Sequence, residues 1–137
     1  MTDRKTKDAQ IAYLLIRLSM GLNFFMHGAV RIFGDLASFR EGLVNGFQET
    51  LLPTFFVQAF ATVLPFVEAG VGLLLLLGLF TRQAAVTGAV VMLTLIFGMS
   101  LRQEWGTVGS HMVYALFYYF LIRNASDNKW GLDDRRN

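Results

Sequence analysis

FFVQAFATVLPFVEAGVGLLLLLGLF, residues 55–80, decides how the rest of the chain is read. A helix needs roughly 20 apolar residues to cross the ~30 Å of hydrocarbon in a bilayer, and this run is long enough. Lipid offers no partners to backbone N–H and C=O groups, so such a run is a helix and not an open strand. Glu68 is the only carboxylate in it. A carboxylate near the middle of a spanning helix costs ~2.5 kcal/mol or more, so it faces a bundle interior and has a partner or a function there.

Three more apolar runs flank this one, at residues 9–33, 84–101 and 107–122. Together they predict an all-α, four-helix transmembrane bundle forming a single membrane domain over residues 1–137. In the connection at residues 34–54, Leu36, Phe39, Leu43 and Phe47 fall at helical spacing, with Arg40 and Glu41 between them and Gln48 just after. That pattern predicts a short amphipathic helix on the membrane surface between helices one and two. The links at 81–83 and 102–106 are tight, so helices two, three and four should pack as antiparallel neighbours. Residues 1–8 are polar and precede an apolar run with no small-residue cleavage pattern, which reads as a retained helix.

Composition agrees. Hydrophobic residues make up 54% of the chain and charged residues only 16%, against ~25% charged in an ordinary soluble domain. A net charge of +2 gives no reason to expect nucleic acid as a partner. There is no cysteine, which excludes thiolate nucleophiles, disulfide exchange and iron–sulfur clusters. No Walker loop, dinucleotide fingerprint, HExxH or nucleophile elbow is present. With four spans, Arg4, Lys5, Lys7, Arg82, Arg123, Lys129, Arg135 and Arg136 share one side, and Arg31, Arg40 and Arg102 share the other. The excess of basic residues marks the cytoplasmic side of an inner or plasma membrane, so both termini should be cytoplasmic.

The polar residues within the runs carry whatever chemistry there is. Arg17 and Glu68 are expected to form a buried polar core, as an ion pair if helices one and two are adjacent. That pair either fixes helix packing or handles protons or a ligand. His27 and His111 are expected at similar depth near the outer ends of helices one and four. With Arg31 they make a candidate ligand-binding pocket. The two histidines are too few for a structural zinc site, so no metal is expected. Haem ligation ranks well below hydrogen bonding to a neighbouring helix or to a quinone-like head group. Asn23 can bond across helices in the same way. Pro65, one turn before Glu68, can kink its helix and open a pocket, or serve close packing. Tyr114, Phe117, Tyr118, Tyr119 and Phe120 could form a wall for a flat ligand, though packing or lipid contact is the preferred reading.

RLSMGLNFFMHGAVRIFG, with Arg17, Leu18, Gly21, Phe25, His27, Gly28 and Arg31, is similar to the opening helix of DoxX-family membrane proteins. LPFVEAGVGLLLLLGLFTRQAA, with Val67, Glu68, Gly70, Gly72 and the Gly78–Arg82 segment Gly-Leu-Phe-Thr-Arg, resembles the family's second signature. The tail NKWGLDD is only loosely like the family's C-terminal ending. The resemblance runs through the whole chain and implies a four-helix membrane bundle with a link to membrane redox chemistry. Relatives include the small-subunit type of thiosulfate:quinone oxidoreductase. It implies no catalytic residue. The leading expectation is a small membrane subunit of a redox system, quinone-linked or partnering an oxidoreductase. The alternatives are a non-catalytic scaffold or anchor for a partner protein, and a small-solute or proton carrier using Glu68. A redox partner protein and a second copy of the chain stay open as partners beside the lipid bilayer.

Overall fold

Residues 2–135 are described by a computed structural model. Met1, Arg136 and Asn137 lie outside the described residues, and Arg136 belongs to the basic count above. The chain forms α1 (Thr2–Phe33), α2 (Leu36–Gly46), α3 (Thr54–Leu77), α4 (Thr81–Leu101) and α5 (Trp105–Arg123), then a 3₁₀ turn at Ala125–Asp127. No strand occurs among the described residues.

Local chemistry sets the breaks. After Gly34, the Asp35 carboxylate accepts the Ser38 N–H at 2.9 Å and starts α2, an N-cap that supplies one of the donors left free at a helix start. Pro53, with φ fixed near the helical value, precedes α3. α3 ends in a Schellman turn. Gly78 adopts φ 63°, its N–H meets the Leu75 carbonyl at 3.2 Å, and the Leu79 N–H reaches Leu74 at 3.0 Å.

The main core gathers Met20 and Phe24 of α1, Val71 and Leu75 of α3, Ala84 and Met92 of α4, and Tyr118 and Leu121 of α5. α1 and α3 are antiparallel and meet backbone to backbone. A Cβ at Gly28 would collide with the Pro65 carbonyl and the Ala69 amide nitrogen, and one at Gly72 with the Phe25 amide nitrogen. With little hydrophobic drive between helices in lipid, such small-residue contacts supply the packing. Pro65 is buried within an unbroken helix, with its carbonyl against Gly28. α5 packs on α4, where Gly88 makes room for the Tyr118 ring. Outward-facing Leu15, Leu22, Val63, Phe66 and Leu93 are all at least one-third exposed, an apolar surface suited to lipid.

Two ends can be distinguished: a loop end carrying α2, and a tail end carrying the 3₁₀ turn and residues 128–135. α2 packs chiefly on α3, and Phe47 at its end joins Val57, Met99 and Val108 in a second core cluster. Arg31 lies over the Phe39 ring at 4.3 Å and Arg102 over Phe47 at 5.4 Å. Cation–π contacts from α1 and from the end of α4 therefore hold α2 across the loop end.

Three helices are long and apolar enough to cross a membrane, Asp3–Phe33, Thr54–Leu77 and Thr81–Leu101. The expected fourth span is a helix of 19 residues, α5, but among the described residues it is not one of the three that meet that length and hydropathy. Ser110 and His111 in its first half dilute the apolar run.

Candidate functional site

The buried charges separate into two clusters. Arg17 and Glu68 are both buried, at 2% and 3% exposure, but the expected ion pair between them does not form. Glu68 is paired with Arg31 through Oε2 and Nη1. The register explains this. Arg17 lies against Gly78, ten residues past Glu68, or about 15 Å along α3. The Cα–Cβ bond of a helical residue also tilts toward its own N-terminus. In antiparallel α1 and α3 that tilt carries Arg17 and Glu68 apart, and brings Arg31 and Glu68 together.

Arg17 serves the tail end. Its Nη1 donates to Asn128 Oδ1 at 3.1 Å and its Nη2 to the Trp130 carbonyl at 3.2 Å. Asn128 Nδ2 continues to Thr81 Oγ1 at 3.0 Å. The Asp133 carboxylate accepts the N–H groups of Phe80 and Thr81, each at 2.8 Å. Phe80 has φ 47° and offers α4 no side-chain cap, so an acid 53 residues further on supplies it. A Cβ on Gly78 would strike the Arg17 guanidinium, and one on Gly131 would meet the Gly78 carbonyl. NKWGLDD, which sequence reading set aside, is thus the segment that locks the Gly-Leu-Phe-Thr-Arg turn. A helix start at Thr81 without a capping residue before it was the available signal.

At the loop end His27, Arg31, Glu68 and His111 line one cavity of about 190 Å³. Asn23, Phe24, Phe39, Thr107 and Tyr114 complete its polar and aromatic wall. The three residues expected to form a pocket therefore share one, and Glu68 joins them because its side chain leans toward the loop end. His27 is on the exposed side. Its Nδ1 lies 2.8 Å from the Asn23 carbonyl. A carbonyl only accepts, so Nδ1 carries the proton and Nε2 of the neutral ring is left as an acceptor. His111 Nδ1 is buried without a hydrogen-bond partner among the described residues, as is the Tyr118 hydroxyl. Of the aromatic residues of α5, Tyr114 faces the cavity, Tyr118 packs edge-on against Phe24 at 5.2 Å, and Tyr119 and Phe120 are exposed. Among the described residues no group of three or more acidic or histidine ligands is placed to hold a metal ion.

A helical membrane protein with polar residues gathered in a chamber at one end of its bundle is the class these features define. The chain belongs to the DoxX family, whose sequence profile matches residues 12–101. That stretch contains Arg17, His27, Arg31, Glu68 and the Gly78–Arg82 turn, while α5 and the tail lie beyond it. Comparison with curated proteins and with solved structures finds no match.

Proposed function

We propose that the loop-end cavity receives the ring of a quinone, and that the protein works as a small membrane subunit of a redox system. One observation carries this reading. An arginine, two imidazoles and a carboxylate converge in one chamber between Phe24, Phe39 and Tyr114. Few polar groups fixed among aromatic and aliphatic walls are what a site for a flat, uncharged ligand requires. Arg31 and the unpartnered His111 Nδ1 donate to ring carbonyls. His27 Nε2 accepts from a quinol hydroxyl. Glu68 holds Arg31 in place and is the carboxylate nearest to a ring oxygen that gains or loses a proton. Electrons pass to or from a partner protein.

In this reading α5 is a fourth crossing. Its 19 residues run antiparallel to α4 for about 28 Å; the excess of basic residues toward the tail end supports a cytoplasmic tail end and a cavity toward the outer face. A proton carrier built on Glu68 gains less support, because the carboxylate is tied to Arg31. Titration of the detergent-purified protein with a short-chain benzoquinone tests the proposal. His111→Ala and His27→Ala should each weaken binding by ~1–3 kcal/mol, the cost of losing a hydrogen bond to a buried group. Binding unchanged in both removes the ring from this cavity. No binding to the wild type favours a scaffold.

A further inference from the structure

A second cavity, of about 180 Å³, lies under α2 between α3 and α4. Apart from Thr94 and Gly98, its lining is entirely hydrophobic side chains. Leu43, Leu95 and Met99 line both this cleft and the polar chamber. A thin apolar partition is therefore all that separates a hydrogen-bonding site from a greasy one. Phe56 and Phe97, 52% and 57% exposed, open the cleft onto the outer face of α3 and α4.

Building on the quinone reading of the polar chamber, we propose that this cleft holds the isoprenoid tail of the same molecule, with Met99 as the movable side chain between ring and tail. An engineered apolar cavity of about 150 Å³ stays dry and takes up benzene, so the cleft has room for the first part of a tail. The remainder leaves between Phe56 and Phe97 into lipid. Methionine is unbranched and adapts its shape readily, which suits a partition that must open. Charge decides between a quinone and a phospholipid. Arg31 and Glu68 neutralise one another in the chamber, so the adjoining head site matches an uncharged ring and not a phosphodiester.

The test compares two benzoquinones with one ring, 2,3-dimethoxy-5-methylbenzoquinone and its decyl derivative, each titrated against the full-length protein in detergent. Thr94→Trp fills the cleft. Thr94 is exposed, and its hydroxyl bonds only to Val90 of its own helix. Comparing variant with wild type for each ligand cancels partitioning into micelles. The decyl compound should lose at least tenfold in affinity while the chainless one is unchanged, and His111→Ala should weaken both. Phe60→Trp, also on the cleft wall, gives the same readout if Thr94→Trp does not fold. Equal affinities of wild type and cleft variants for the decyl compound overturn the tail site and leave the ring reading standing. Loss of co-purified phospholipid from Thr94→Trp with decyl binding intact makes the cleft a lipid site and also overturns it. Failure of the wild type to bind either compound removes the ring reading, and this inference falls with it.

Discussion

Arg31 and Glu68 meet because α1 and α3 run in opposite directions and each side chain leans toward the start of its own helix. The pair is unequal: the Glu68 side chain is 5% exposed and that of Arg31 26%. Removing Arg31 strands the more deeply buried charge, and breaking a buried pair from one side costs ~3–5 kcal/mol. Arg31→Leu should therefore destabilise the protein near the lower end of that range. Glu68→Gln should cost less, since Arg31 keeps Phe39 and an exposed edge. Thermal melting in detergent decides this. Arg31→Leu with Glu68→Gln should be non-additive, while Arg17→Leu with Glu68→Gln should add, as independent sites do. Strong coupling in the Arg17 cycle would reinstate the pair that the register denies. Glu68 was legible in the sequence because a lone carboxylate in an apolar run shows itself. Its partner was not, because the apolar runs alone do not give the register of α1 against α3, which sets Arg17 level with Gly78. The register is set by Gly21, Gly28 and Gly72, and only when matched across two helices do these glycines show which residues lie level.

Among the elements, α2 is the one whose position the cavity depends on, and its start is held by Asp35. The Ser38 backbone N–H holds the Asp35 carboxyl below its ordinary value of 3.8. A carboxyl depressed in the folded state contributes its stabilisation above the unfolded value and loses it as pH falls through the folded one. Amide exchange over residues 36–46 should thus quicken below about pH 4 relative to an Asp35→Asn protein, in which the cap remains but does not titrate. Parallel behaviour of the two proteins would mean that the cap does not hold α2. The helix itself was readable from the spacing of Leu36, Phe39, Leu43 and Phe47. Its cation–π contacts with Arg31 and Arg102 were not, since they join residues 8 and 55 positions apart. The C-terminal segment was hidden for the same reason: Asp133 caps a helix that begins 52 residues earlier.

Across the whole molecule, the antiparallel order of α1, α3, α4 and α5 separates the tail cluster around Arg17 from the loop-end chamber. With seven of the described basic residues in that count on the tail side against three on the loop side, the tail side should face the cytoplasm. Reporter fusions at the C-terminus and within residues 35–52 should report opposite compartments, with the C-terminus cytoplasmic; a shared compartment would contradict the proposed fourth crossing, and an external C-terminus opposite a cytoplasmic loop would contradict the orientation. The all-helical class was legible from hydropathy alone. Whether α5 crosses was not, because its polar first half serves the chamber and weakens the signal that marks a span. The central claim is that the chamber holds a quinone ring, and photolabelling with an azidoquinone tests it most directly. Competed label should fall on residues 23–31 of α1 and 107–114 of α5. Label confined to the tail end or the outer faces of the helices, or label that excess quinone does not displace, would contradict it.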